Sequence, residues 1–205
     1  MSDMKVKLIS YFYIGYLKLL SKTCKIRIIK PEDVDINNSI IGFWHGESFP
    51  MYLLFERYPD VNMSAIATSD KRGEYITAIM ADYGIKPLRL ANGAASRRGI
   101  SEIINLGKQD TSLSICFSID GPLGPYHEPK KMVFFIAESC GKKYISIRPI
   151  IKGKITAFSR WDKYVIPLPF SSITFDVREY GMITKEQIKD FDRLSKEIIN
   201  HMEGS

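Results

Sequence analysis

The chain has 205 residues, 29 Lys and Arg against 23 Asp and Glu, and a formal net charge of +6. That length is enough for one domain over residues 1–205 with a full apolar core. A composition of 45% hydrophobic and 25% charged residues, with no repeat or low-complexity run, excludes fibrous, solenoid and disordered classes. Cys24, Cys116 and Cys140 are scattered and form no C-x-x-C, which argues against a disulfide framework or a zinc site and fits a reducing compartment; Cys116 and Cys140 read as small core residues.

The first 30 residues read as an amphipathic basic helical segment. Its run Leu8–Leu20 is too short to span a bilayer and is interrupted by Lys18. Two readings stay open, a helix packed on the domain and a helix lying in the membrane interface. Tyr11, Tyr13 and Tyr16 and the flanking Lys and Arg suit the second. Strands are then expected at 39–44, 63–68, 87–91, 112–119 and 144–150. They alternate with helices beginning near Met51 and over 74–83, 97–106 and 132–140, the last stopped by Gly141. Such alternation predicts an α/β fold with a largely parallel central sheet flanked by helices. After Gly153 the pattern changes to strands at 155–158, 164–166 and 172–178. A closing helix follows, announced by a Thr184–Gln187 capping box and carrying the stripe Ile188, Phe191, Leu194, Ile198 and Met202.

Three stretches carry candidate chemistry. His45 leaves the end of an apolar strand in F-W-H-G-E-S, where an α/β protein places reactive groups. It reads either as a general base or as a turn histidine. His127, in a Pro-flanked loop, and His201, read as solvated on the last helix, are weaker candidates. S-I-D-G-P-L-G-P (118–125) puts Asp120 at a strand end before two Gly-Pro steps, a stiff loop able to hold donors against an anion or shape a pocket. L-A-N-G-A-A-S-R-R-G (90–99) sets Arg97 and Arg98 at a helix start, which fits a phosphate site or a solvated basic turn. The three His and three Cys form no metal-ligand cluster. The positive charge is dispersed and no nucleic-acid module appears.

W-H-G, S-R-R-G, D-G-P-x-G-P and W-D-K-Y-V-I-P-L-P-F (161–170) follow in that order between about Ile40 and Phe170. Together they resemble a bacterial branch of the lysophospholipid acyltransferase superfamily, long known only as a domain of unknown function. The resemblance implies a glycerolipid acyltransferase-like fold. It also implies transfer of a fatty acyl group from acyl-CoA or acyl carrier protein, as co-substrate and with no further cofactor, to a hydroxyl of a lysophospholipid or lipid A-type acceptor. Implied partners are an anionic membrane surface, the lipid acceptor and the donor carrier. The implied setting is peripheral, on the cytoplasmic face of the inner membrane, in phospholipid biosynthesis. In the superfamily's H-x-x-x-x-D pair, His45 matches the base, but Pro50 stands where the acid belongs. Glu47, Asp120 or, more remotely, Asp70 would then orient the imidazole from space. Arg97 or Arg98 matches the acceptor-phosphate arginine. Asp120, Gly121, Pro122 and Gly124 take the place of the acidic third block and would line the oxyanion or phosphate pocket. Leu123 stands where that branch often carries Arg, and Arg72 precedes Gly73-Glu74 where it often carries Asp. The missing acid at Pro50 motivates one alternative, a non-catalytic lipid-binding protein. A thioesterase-like hydrolase, with water in place of the acceptor, is another.

Overall fold

A computed structural model describes residues 3–67, 71–89 and 96–204. It opens with helix α1 (Asp3–Thr23), which buries Val6, Ser10, Leu17 and Leu20 against the domain. Tyr13 and Tyr16 turn inward onto Phe49, and Lys18 pairs with Asp82 at 3.1 Å. The opposite face leaves Leu8, Tyr11, Phe12 and Leu19 exposed among Lys7, Lys18 and Lys22. No helix among the described residues is long and apolar enough to cross a membrane.

The basic helical segment expected over 1–30 is shorter than that. Strand β1 (Lys25–Ile29) follows α1 at once and pairs in parallel with residues 172–176. Its K-I-R-I-I alternation, half-buried on one side, suits a sheet edge better than a helix face. Then come β2 (Ser39–Phe43), α2 (Ser48–Phe55), β3 (Met63–Ala67), α3 (Lys71–Asp82), β4 (Lys86–Arg89), α4 (Arg97–Gln109), β5 (Ser114–Ser118) and α5 (Lys131–Cys140). The expected strand ends at Thr68 and at Leu90–Ala91 lie outside the described residues. Where the sequence suggests four separate late strands, at 144–150, 155–158, 164–166 and 172–178, two long ones form: β6 (Lys143–Thr156) and β7 (Val165–Met182). Gly153, Pro167 and Pro169 interrupt the sequence pattern, but the ladder continues through a register shift between Lys152 and Lys154. The capping box at Thr184 is formed in both directions, yet it starts only the short α6 (Lys185–Lys189). The chain turns at Asp190 before α7 (Phe191–Glu203).

The sheet order is β1-β7-β6-β2-β5-β3-β4. Every pairing is parallel except β6 with β7. Helices cover both faces. Leu17, Leu54, Ile79, Ile145 and Phe175 pack in one core layer, and Ile103, Phe134, Ile136, Leu194 and Ile198 in the other. β2 lies inside the sheet and is buried at all five positions, so the residue that follows it leaves a rigid, fully covered strand.

Candidate active site

His45 sits where β2 ends, opening a single helical turn (His45–Glu47) that runs into α2. The neighbouring strand fixes it. The Ile119 N–H donates to the Phe43 carbonyl at 2.9 Å, and the next residue, Asp120, accepts the backbone N–H of His45 at 2.8 Å. Two adjacent parallel strands are thus cross-braced at their carboxyl ends, where open α/β sheets place their chemistry.

The partner of the imidazole comes from 117 residues away. Nδ1 of His45 lies 2.8 Å from Oδ2 of Asp162, in the turn that joins β6 to β7. Arg160 grips the same carboxylate as a fork, Nε to Oδ1 at 2.9 Å and Nη2 to Oδ2 at 2.7 Å. The Asp162 side chain is fully buried and that of His45 is 28% exposed, so the acid is sealed and the ring is not. Burial alone would push the Asp162 carboxyl up. Hydrogen bonds from Arg160 and His45 overcome it and hold the group below the ordinary aspartate value. An ionised Asp162 accepts a hydrogen bond from Nδ1–H, the tautomer that leaves the lone pair on Nε2. The contact demands glycine after the histidine. A Cβ on Gly46 would lie 2.0 Å from the Asp162 carbonyl oxygen. H-G and W-D are two halves of one interface, and Pro50, five residues after His45, is buried in α2.

The other expected residues fall around this pair in different ways. Asp120 holds the His45 backbone, not its ring. It is fully buried, Oδ2 has no hydrogen-bond partner among the described residues, and burial raises its pKa against the bond from His45. Glu47 points inward, and its Oε2 has no hydrogen-bond partner among the described residues. Burial drives its carboxyl up to about 8, with Lys154, Glu203, Arg148 and Asp120 close enough to be felt. The acid on the imidazole is therefore Asp162, where the sequence suggests Glu47 or Asp120. Asp70 lies outside the described residues. Gly121 gives its N–H to Ser118 at 3.1 Å, and Pro122 is exposed. Gly124 lets the loop close on Trp161, whose ring would lie 2.7 Å from a Cβ there and sits 5.3 Å from the His45 ring.

Arg97 and Arg98 begin α4, capped by Ser96, which accepts the Gly99 N–H at 3.0 Å. The preceding strand β4 ends at the same sheet end as His45, three strands from β2. Arg98 is exposed and pairs with Glu102 at 3.3 Å. The segment 90–95 that leads to them lies outside the described residues. His201, expected in solvent, is instead 9% exposed. α7 turns it inward, where Ser146 meets its Nδ1 at 2.8 Å. His127 pairs with Glu203. A hollow of about 400 Å³ lined by Asp35, Asn38, Lys143 and Glu179 lies at the opposite end of β2 from His45. Among the described residues no group of three or more His, Cys, Asp and Glu could hold a metal.

The chain, with its seven-stranded, mostly parallel sheet flanked by helices, has an acyltransferase-like fold. Over its whole length it superposes on the 1-acyl-sn-glycerophosphate (LPA) acyltransferase PlsC from Thermotoga maritima. The TM-score is 0.55 at 16% identity, covering 100% of this chain and 85% of that one. In sequence it is 23% identical over 202 residues to an uncharacterized protein of Rickettsia prowazekii, covering 94% of this chain and 89% of the relative. No protein-family profile matches the chain, so the narrower bacterial branch rests on its motifs alone.

Proposed function

We propose that this protein is an acyltransferase of the lysophospholipid acyltransferase-like bacterial branch. It would move a fatty acyl group from acyl-CoA or acyl carrier protein to a hydroxyl of a lysophospholipid or lipid A-type acceptor. The observation that carries the reading is the His45–Asp162 contact, with a sealed, Arg-clamped acid behind a ring that still opens to solvent. In the proposed reaction Nε2 of His45 removes the acceptor's hydroxyl proton as that oxygen attacks the thioester carbonyl. The C–O bond forms, the tetrahedral intermediate collapses, the C–S bond breaks, and His45 returns the proton to the leaving thiolate. Asp162 stabilises the imidazolium between the two steps. Asp120 fixes the His45 backbone, the Gly121–Gly124 loop lines the pocket, and Arg97 or Arg98 receives the acceptor's phosphate. The working position is peripheral, on the cytoplasmic face of the inner membrane, with the exposed face of α1 against anionic lipid.

Purified protein incubated with acyl-CoA or acyl carrier protein and a lysophospholipid tests this. His45→Ala is expected to abolish product while leaving thermal unfolding unchanged, and unaltered turnover removes His45 from the mechanism. Free fatty acid released without an acceptor identifies a hydrolase, and binding without any product identifies a carrier. The motive for the carrier was the acid lost at Pro50, and Asp162 supplies one from the hairpin turn.

A further inference from the structure

We propose that the rim of the His45 site is a membrane-docking surface, formed by the Gly-Pro loop and the β6–β7 turn and seated on an anionic bilayer. The inference deepens the acyl-transfer reading by naming the surface that brings the site to its lipid, and it rests on that reading for its purpose. Leu123 is 88% exposed and Phe158 79% exposed, and Tyr126 and Trp161 are also open to solvent. These four side chains come from two loops that form one surface. Gly124 abuts the Trp161 ring, and Lys163 on one loop lies over the Tyr126 ring on the other at 4.1 Å. The Trp161 ring in turn flanks His45 at 5.3 Å, so the exposed apolar groups border the reactive imidazole.

Charge selects the occupant. The loops 121–130 and 157–163 carry Lys163 and Lys130 against Glu128, while Arg160, half exposed, is balanced by the sealed Asp162 that it clamps. Large apolar and aromatic side chains interleaved with cations match the headgroup level of an anionic membrane, where rings sit among polar groups and each cation gains roughly fivefold in binding. A protein partner would instead favour a face depleted in charge at its centre. α1 passes beside the same hairpin, its Tyr16 hydroxyl donating to the Pro167 carbonyl at 2.8 Å. The exposed Leu8, Tyr11, Phe12 and Leu19 of that helix would extend the contact.

Co-sedimentation with vesicles of phosphatidylcholine and phosphatidylglycerol, 3:1 by design, and with phosphatidylcholine alone tests the proposal without donor or acceptor. The double variant Leu123→Ser, Phe158→Ser is expected to bind the anionic vesicles at least tenfold more weakly, with an unchanged unfolding temperature because both side chains already face water. Lys163→Gln is expected to lose roughly fivefold on anionic vesicles and nothing on neutral ones. Wild-type protein that ignores both vesicles, or a double variant that binds like wild type, overturns the proposal. So does unchanged vesicle binding with lost transfer to a monomeric short-chain acceptor, which assigns the rim to the substrate's own chain. A wild-type protein that transfers no acyl group but binds vesicles through Leu123 and Phe158 overturns the enzymatic reading and keeps the surface.

Discussion

Three histidines lie against carboxylates among the described residues, His201 through Nε2 near Asp176 and the other two through Nδ1, and the difference between those two separates a reactive site from a tie. His45 and His127 each set Nδ1 against an acid, Asp162 and Glu203. His127 is sandwiched. One face stacks on Trp44 with ring centres 4.5 Å apart, and Tyr126 lies 3.6 Å away on a nearly parallel plane. Burial lowers its pKa against the pull of Glu203, and Glu203 itself is about 42% exposed near the end of α7. His45 reverses both features, with the acid sealed and clamped and the ring partly open. Proximity of an imidazole to a carboxylate is common to both pairs. What distinguishes His45 is a fixed acid behind an accessible base, the arrangement that general-base catalysis needs.

The largest effect should come from removing the charge behind each ring. Asp162→Asn leaves a similar shape but no longer fixes the tautomer, and transfer is expected to fall by about three to four orders of magnitude, by analogy with triad aspartates. Glu203→Gln in the same acyl-transfer assay should stay within roughly threefold of wild type, since no proton of the proposed reaction passes through His127. Equal losses in both variants would erase the distinction. A full-rate Asp162→Asn would return the acid's role to Glu47 or Asp120.

Backbone packing gives the next test. Gly46→Ala drives a methyl into the Asp162 carbonyl, which belongs to a hairpin turn tied by Ala157 N–H to Tyr164 and Lys163 N–H to Arg160. A cost of about 3 kcal/mol in chemical denaturation is expected, the upper end for overpacking, because backbone rather than a flexible side chain must yield. Activity should fall with it, since the turn that retreats carries the acid. Arg160 tests the clamp more gently. Arg160→Ala removes two charge-assisted hydrogen bonds and should slow transfer roughly tenfold. Without those bonds the Asp162 pKa rises, so the acid limb of the rate profile should move to higher pH, and Arg160→Lys should restore part of both. A rate loss with an unmoved profile would leave Arg160 a merely structural residue.

The sequence makes His45 legible because an apolar strand followed by His-Gly is a local pattern, and Asp120 because a buried strand ends on it before Gly-Pro. Their joint geometry follows from parallel neighbours ending at the same level. Asp162 is not legible as the acid, since nothing local couples positions 45 and 162. The coupling exists only because the β6–β7 hairpin brings its turn to the end of β2. The usable signals are the W-D-K-Y motif and the R-x-D spacing that places a guanidinium on its own aspartate. His201 fails for a related reason. Helical periodicity locates the apolar stripe of α7 but does not reveal that Ser146 waits beneath its margin. β1 was hidden by its charges, because alternating Lys and Arg on an edge strand mimic the polar face of a helix.

Glu47 offers the smallest and most graded test, because it lies within electrostatic reach of both pairs, through Asp120 beside His45 and Glu203 beside His127. Its pKa is pushed by burial to about 8, against 4.5 for an ordinary glutamate, so the folded protein keeps a proton that the unfolded chain has released. Between those two values the native state binds more protons, and stability falls as pH rises by as much as about 1.4 kcal/mol per unit from this group alone. Below the lower value and above the upper one the contribution is flat. Glu47→Gln keeps the neutral shape and removes the titration. Its stability relative to wild type should therefore climb steadily from about pH 5 to pH 8 in urea denaturation and level off beyond. If the two proteins instead track each other across that range, Glu47 is ionised and solvated in the folded state, and the polar ground between the two pairs is open to water rather than sealed.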